Sequence, residues 1–536
     1  MFSRIFRIVI LATLLITCSL SSFGQDKVRK IIHVKIEQLD SLFSASLNLY
    51  YSKTLKYIYS ENQYNRIWDT QKTFHFIQII ENSSCEGFEP EIYHLDTIKN
   101  IFYSSDPEEI ATRDIILSDA FLLYAHHLLH GLTTPKEADL SWHLESNKPS
   151  PEHFLLQLRV KSLQSVLQEM RPQDMNYAAL CEAMKKLKTE KSKEPIPALS
   201  ANILLKRGDS DYRIEMIKKR LVNSEYPKDT MGTTAFYYDT LLEAAVKHFQ
   251  KLHGIYEDGI IGKETIDAFN LRQEQKLKTL MVNLERLRWM PGIREDTFLL
   301  VNIPDFQLKL IEQGEVISTH KIIVGRIKRK TPVFSSTMEF ITLNPPWVVP
   351  PNMMRQDIIP AIKKDPGYLG RNHMKIFDRN GNLIDPQTIN WNTDPVYSYT
   401  YRQEPGVFNS LGLIKFSFPN PYSIYLHDTP SRSLFLRQDR AFSSGCIRVE
   451  RPFDLSDYLL IKNPEWTEEK ILRTIAKKMT ITITLNQPIK IYFLYLTAWV
   501  DQQGELNLRK DIYDKDDLVY KTILHKLETL KKASDR

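Results

Sequence analysis

The chain has 536 residues, of which 42% are hydrophobic and 25% charged, ordinary values for a globular protein. That length exceeds one typical core and calls for two to four domains. A net charge of +6 comes from dispersed Lys and Arg, which excludes a nucleic-acid-binding patch and leaves a mildly basic surface suited to an anionic polymer.

At the start, Arg4 and Arg7 precede the apolar run Ile8 to Leu20, and Ser22-Phe23-Gly24 forms a small-x-small site before Gln25. Residues 1–24 read as a secretory signal peptide, too short for a comfortable membrane span. Cys18 follows Leu15-Ile16-Thr17, a poor lipoprotein site because Gly or Ala usually stands before the Cys. A lipid at Cys18 or an uncleaved anchor are the alternatives, and either leaves the protein exported. Cleavage after Gly24 leaves Cys85, Cys181 and Cys446, an odd number that keeps at least one thiol unpaired. Whether Cys85 and Cys181 pair stays open.

Residues 25–197 read as a helical domain, with apolar periodicity over Asp114 to His130, Pro151 to Met170 and Asn176 to Leu187. His126, His127 and His130 lack the intervening Glu of an HExxH helix and a third ligand nearby, so they read as structural. Lys185 to Lys193 reads as a solvated helix end, and Pro195 and Pro197 mark a boundary. Residues 198–272 read as a small three-helix module with Gly254, Gly259 and Gly262 at turns and Phe249 and Gln250 in or near its core. Residues 273–295 carry Leu277, Leu280, Met281, Leu284 and Leu287 at helical spacing, with Arg286 and Arg288 among them, an amphipathic connecting helix expected to pack on neighbouring domains.

From Thr297 the pattern alternates: Phe298 to Ile303, Gln307 to Glu312, Val316 to Val324 and Met338 to Leu343 read as strands. Thr331 to Phe334 and Asn344 to Pro351 are Pro-stiffened connectors. Residues 351–400 are less β-like, with a helix over Met354 to Lys363 and an Asn380-Gly381-Asn382 turn. A segment of this length between stiff anchors reads as a lid. Residues 480–515 add strands, so the β-rich domain is expected over 296–530. The fold class is multidomain α+β.

Within that domain Tyr422 to His427 reads as a strand, and a polar loop leads to Ser443-Ser444-Gly445-Cys446 and then Ile447-Arg448-Val449. Cys446 and His427 are a candidate thiol-imidazole pair, in which the imidazole would lower the thiol pKa and hold a thiolate. Gly445 would let backbone N–H groups approach a developing oxyanion. Strand alternation puts Tyr425 on the face of His427 and turns Asp428 away unless the strand has ended there, so Asp428 and a backbone carbonyl are both candidate partners of the His427 ring, the carbonyl favoured by the alternation. Spacing alone leaves open that Cys446 is a small buried hydrophobe.

The stretch from His427 through Ser443-Ser444-Gly445-Cys446-Ile447-Arg448 resembles the active-site motif of L,D-transpeptidases of the YkuD type. Their usual form is His, a loop, Ser/Thr-His-Gly-Cys, and an Arg two residues later. Ser444 stands where most members carry a second His, as in the long periplasmic subgroup that bears a peptidoglycan-binding module. The string AVKHFQKLHGIYEDGIIGKETIDAF is similar to that three-helix module, and 25–197 resembles the subgroup's scaffold domain. Asn283 to Trp289 is similar to the family's lead-in to the catalytic domain. Gln403 to Gly412 and Lys415 to Asn420 are similar to segments lining the pocket, so Asn420 is counted with it.

The resemblance implies a mainly-β catalytic domain with a lid insertion, acting in the periplasm on peptidoglycan stems. Cys446 would be acylated by a donor tetrapeptide with release of D-Ala, and His427 would move the protons. A second stem would resolve the thioester into a 3→3 cross-link; water, a D-amino acid or a lipoprotein Lys are alternative acceptors. Gly445 and Cys446 would supply oxyanion donors, and Ser443 and Ser444 would hold substrate or loop. Arg448 would be a carboxylate clamp or, by its deeper position on the face of Cys446, a brace of the Cys loop. Carbapenems would acylate the same Cys, other cell-wall enzymes are the implied protein partners, and no metal or cofactor is expected. Two other classes stay in view: a wall-binding scaffold with a dead catalytic domain, and a secreted cysteine peptidase of general specificity.

Overall fold

The structure is a computed structural model that describes residues 25–40, 47–173, 176–189, 198–200, 202–221, 235–392 and 394–534. The leader at 1–24, the end of the basic run past Thr189 and the Pro195–Pro197 boundary lie outside the described residues. Helices Ser52–Glu61, Thr70–Asn82, Pro107–His130, Pro151–Gln157, Leu163–Met170 and Tyr177–Thr189 build the N-terminal region. Pro107–His130 is its central element, buried on nearly every side from Ala111 to Leu129. His127 is buried in it and hydrogen-bonds the Tyr93 hydroxyl at 2.9 Å.

Residues 198–272 have their own core, in which Ile214, Ile217, Tyr238, Leu242, Val246, Ile261 and Ile266 meet. Gln250 is the buried polar centre of this module, bonded to Asp258, Thr265, the Ile260 carbonyl and the Gly259 N–H. Phe249 lies nearer the surface, stacked between His253 and Phe269.

The connecting helix Gln273–Trp289 departs from the amphipathic expectation. Every residue from Val282 to Trp289 is buried, because further elements cover the face that was expected to meet solvent. The C-terminal helix Asp516–Ser534, which sequence reading missed, packs on it together with the N-terminal region. Burying Arg286 and Arg288 is tolerated because each is paired. Arg286 meets Asp516 at 2.7 Å, and Arg288 meets Glu285 at 2.7 Å, the Glu86 carbonyl at 2.8 Å and the Tyr177 hydroxyl at 3.0 Å. Glu285 also accepts from the N–H and hydroxyl of Thr133. Glu285→Ala is therefore expected to destabilise the protein by about 3–5 kcal/mol, since it strands a buried guanidinium and two donors. Denaturant unfolding checks this; a loss below about 1 kcal/mol would contradict it.

The β-rich region contains fifteen strands among the described residues: β1 (Thr297–Asn302), β2 (Gln307–Glu312), β3 (Glu315–Gly325), β4 (Phe334–Leu343), β5 (Trp347–Val348), β6 (Met374–Phe377), β7 (Leu383–Ile384), β8 (Thr400–Gln403), β9 (Ile414–Ser417), β10 (Leu426–His427), β11 (Ala441–Ser443), β12 (Ile447–Val449), β13 (Ile481–Leu494), β14 (Ala498–Val500) and β15 (Leu506–Leu508). Nine form one sheet in the order β11-β3-β12-β10-β9-β4-β13-β1-β2, and β2 also pairs with β3, closing the sheet on itself. Leu426 faces Phe416 and Ile447 in register, and all three are fully buried inside. The next row, one residue on, must face outward because side chains alternate.

That outward face is covered by a separate unit. β5-β8-β6-β7 form a second sheet, and Trp347, Val349, Met354, Ile358, Ile359, Ile362, Met374, Ile376, Tyr401 and Leu411 make its core. The unit thus spans about 347–411, wider than the 351–400 segment read from composition, because β5 and β8 at its ends pair with each other. The helix expected over Met354 to Lys363 is a π turn, Met354–Ile358, followed by an α-helical Ile359–Lys364. Pro360 explains the change: it has no N–H for an α bond, and its ring would clash with the carbonyl four residues back.

Candidate active site

Two adjacent parallel strands bring the sequence candidates together. His427 on β10 stands in register with Arg448 on β12. Cys446, two residues before Arg448, is on the same face and one step along, as is Tyr425 relative to His427. Strand spacing and rise place the Cα atoms of His427 and Cys446 roughly 8 Å apart, within reach of imidazole and thiol side chains meeting between them. Tyr425 confirms the shared face, since its ring centroid lies 5.6 Å from that of His427.

The strand expected from Tyr422 is shorter than its alternation suggests. Asn420 turns the chain first: its Oδ1 accepts from the N–H groups of Tyr422 and Ile424, and its Nδ2 donates to the carbonyls of Phe418 and Ile424. Asn420 is thus a brace for the approach to His427. Ser423 takes a left-handed backbone, φ 57°. Its carbonyl accepts the Cys446 thiol at 3.5 Å.

His427 is buried, with 5% exposure, and its Nδ1 donates to the Asp428 carbonyl at 2.5 Å. The backbone partner expected for the ring is the one found, and it leaves Nε2 as the free acceptor. Asp428 turns its carboxylate away to the Leu413 N–H. Burial and then the nearby Arg448 cation lower the His427 pKa to about 3, so the ring is neutral at ordinary pH. Burial likewise pushes the Cys446 thiol above its usual value, against the lowering effects of Tyr425, Lys415 and Arg448. Low dielectric disfavours both ions, so burial works against the lowered thiol pKa expected beside an imidazole.

The loop before Cys446 corrects a second expectation. The Gly445 N–H donates to Ser443 Oγ at 3.0 Å and is not available to an oxyanion. Gly445 itself is required, at φ 118°, with its carbonyl accepting from Thr331 Oγ1 at 2.7 Å. The Cys446 N–H has no backbone partner among the described residues and is the donor left to face a developing charge. Ser444 Oγ accepts from Arg329, which also meets Asp357 and Gln356 on the π turn of the covering unit, at 3.0, 2.5 and 2.7 Å. Sequence reading missed Arg329; its place in a basic run, Arg326 to Lys330, hides it among solvated charges.

Among the described residues no hydrogen bond from Arg448 to the Cys loop supports the expected brace. The Arg448 Nε is buried without a hydrogen-bond partner. Lys415 on β9 is in register with His427 from the other side, and its Nζ lies 4.2 Å from the Tyr425 ring centroid. Among the described residues the free thiols are Cys446, Cys85 and Cys181, the last two in the N-terminal region. Cys85 and Cys181 are thus unpaired.

Comparisons with known proteins bear on this geometry. A model of the L,D-transpeptidase catalytic domain, YkuD, matches residues 296–472. A scaffold domain matches 53–184, and a domain described as "Putative peptidoglycan binding domain" matches 210–269. A protein of Haemophilus influenzae named "Putative L,D-transpeptidase" is 38% identical over 238 residues, 44% of this chain and 48% of that protein. The chain thus spans about half the length of this curated relative. Among solved structures, an L,D-transpeptidase of Xylanimonas cellulosilytica covers 55% of this chain and 100% of its own, at TM-score 0.17 and 13% identity. A fused Zn-dependent amidase/peptidase/peptidoglycan-binding domain-containing protein of Clostridium acetobutylicum covers 55% and 99%, at 0.15 and 12%. Scores this low carry no argument about this chain.

Proposed function

We propose that this chain, which carries an L,D-transpeptidase catalytic domain at 296–472 and a peptidoglycan-binding domain at 210–269, is an exported, periplasmic enzyme that forms 3→3 cross-links between peptidoglycan stems. The observation that carries this reading is the row of His427 and Arg448 in register, with Cys446 one step away on the same face. His427 Nε2 takes the thiol proton as Cys446 Sγ attacks the carbonyl of the third, L-configured residue of a tetrapeptide donor. The Cys446 N–H faces the oxyanion. The C–N bond to D-Ala breaks, and the proton passes from His427 to the departing amine. The thioester left on Cys446 is attacked by an amine of a second stem, whose proton His427 accepts, and the regenerated thiol closes the cycle. A carbapenem would enter at the first step through its strained carbonyl. Incubating the protein with disaccharide-tetrapeptide is the test: free D-Ala and 3→3 dimers are expected, and absence of both would overturn the reading.

The unit at 347–411 is read as a cap that keeps water from the thioester, since water far outnumbers any acceptor amine. Its support is the Arg329 bridge from Ser444, beside the nucleophile, to Asp357 and Gln356 on the cap. Arg329→Ala is expected to raise the ratio of hydrolysed tripeptide to dimer several-fold while Cys446 still acylates. An unchanged ratio would remove the water-shield role.

A further inference from the structure

The Cys446 N–H left to face a developing oxyanion belongs to the same peptide group as the Gly445 carbonyl. In a trans peptide the two point in opposite directions, so whatever holds the carbonyl also aims the N–H. Thr331 holds it: its Oγ1 donates to the Gly445 carbonyl at 2.7 Å. The preceding peptide is fixed separately, because the Gly445 N–H donates to Ser443 Oγ. A lock is needed at this point, since glycine at φ 118° offers little resistance to rotation of the peptide that follows it.

Thr331 reaches the turn from the connector that leads into β4, and it is fully buried. Its Oγ1 accepts from the Gly325 N–H at 3.0 Å. Its own N–H donates to the Tyr513 hydroxyl at 3.2 Å, and that hydroxyl donates to the Gly325 carbonyl at 2.6 Å. Gly325 has to be bare at this crossing, because a Cβ there would lie 3.1 Å from the Gly445 Cα and nearer still to the backbone of Arg329 and Thr331. Two residues past Thr331, the Val333 N–H donates to the Ser141 carbonyl at 2.9 Å and its carbonyl accepts from the His143 N–H at 2.7 Å. The threonine is thus held by β3, by the C-terminal segment and by the N-terminal region together. The hydrogen bonds also run in one direction, from the Gly325 N–H to Thr331 Oγ1 and from the Thr331 hydroxyl to the Gly445 carbonyl. Each polarises the next, so the series ends on a Cys446 N–H that is a stronger donor as well as a fixed one.

We propose that Thr331 is a positioning residue for the oxyanion site: its hydroxyl orients the Gly445–Cys446 peptide so that the Cys446 N–H faces the charge that forms when Sγ attacks. The proposal rests on the acyl-transfer reading above and adds the residue that prepares its electrostatic part in advance. A donor aimed beforehand needs no reorganisation at the moment of reaction. Thr331 acts on the peptide and not on the thiol or the imidazole, so its loss should spare reactions of Cys446 that build no oxyanion.

Two reactions of Cys446 separate this role from a merely structural one. Thioester formation with a disaccharide-tetrapeptide builds an oxyanion. Alkylation by iodoacetamide does not: Sγ bonds to the methylene carbon, the C–I bond breaks, iodide leaves, and the thiol proton is lost as in acylation. Both are measured on the full-length chain, with alkylation read on the Cys446 peptide so that Cys85 and Cys181 do not count. Thr331→Val keeps the shape of the side chain and removes the hydroxyl. It should slow thioester formation at saturating donor by on the order of 10–100-fold, short of the cost of losing an oxyanion donor outright. KM should move little, as for an interaction made only in the transition state, and alkylation should stay within about two-fold of wild type. Thr331→Ser should recover most of the rate. Tyr513→Phe removes one partner of Thr331 and leaves its hydroxyl in place; it should show a several-fold loss of the same kind, and it carries the comparison if Thr331→Val does not fold. Equal losses in the two reactions, or acylation at the wild-type rate in the variant that carries the comparison, overturn the role of Thr331 while acyl transfer stands. A wild type that is alkylated at Cys446 yet forms no thioester overturns the acyl-transfer reading and this proposal with it.

Discussion

Cys446→Ala is expected to abolish 3→3 dimer formation, a fall of at least about 10³-fold, with the fold intact. The side chain is half-buried at the end of a turn whose bonds are made by Ser443, Gly445 and Thr331, not by the sulfur. Removing Sγ costs the loop a weak 3.5 Å contact to the Ser423 carbonyl and its contacts to Tyr425. Cys446→Ser should be nearly as inactive. A hydroxyl is a much weaker nucleophile than a thiol and gives up its proton far less readily to the same imidazole. Muropeptide mass spectrometry after incubation with each variant checks both, and normal dimer yield from Cys446→Ala would remove the assignment.

His427→Gln should lower acylation by roughly 10²–10⁴-fold, the usual contribution of a positioned base. The pH profile of the wild type is the sharper part of this prediction. With its folded-state pKa lowered to about 3 by burial and by Arg448, His427 stays unprotonated as pH falls through 6.5, where a free imidazole would charge. Acylation should show no inflection near pH 6.5 and should fail only as pH approaches 3. The same shift makes folding stability fall with acid. Below about pH 6.5 the unfolded chain binds a proton at this ring that the folded chain refuses, so stability declines from there down toward pH 3. Above 6.5 both states are neutral and the residue contributes no slope. An acylation inflection near 6.5 would show an ordinary imidazole and contradict the lowered His427 pKa.

The residues of the candidate site were more legible in the sequence than its electrostatics. The Ser-Gly-Cys turn, the upstream His and the glycine-rich string of the small module are local signals, each carried by a short run of residues. The alternation that put Tyr425 with His427 and turned Asp428 away holds, because one face of β10 is buried and pins the register. What stayed hidden depends on residues far apart in the chain. Lys415 joins His427 only through the pairing of β9 with β10, and no spacing reveals that row. The upward push on the Cys446 thiol and the lowered His427 pKa come from burial, and the cap above them has a core that draws on Trp347, Tyr401 and Leu411 together. Gly445 looked like an oxyanion donor from its type alone, but Ser443 two residues earlier takes its N–H. The connecting helix looked amphipathic because its buried arginines read as surface charge until Asp516 and Glu285 were placed beside them.

The central claim is that Cys446 carries the donor as a thioester. Intact-protein mass spectrometry after rapid acid quench of the enzyme with disaccharide-tetrapeptide tests it most directly. One adduct is expected, equal in mass to the donor less D-Ala, and peptide mapping should place it on Cys446. D-Ala release without an adduct under any quench time, or an adduct on Cys85 or Cys181 that survives Cys446→Ala, would contradict the account.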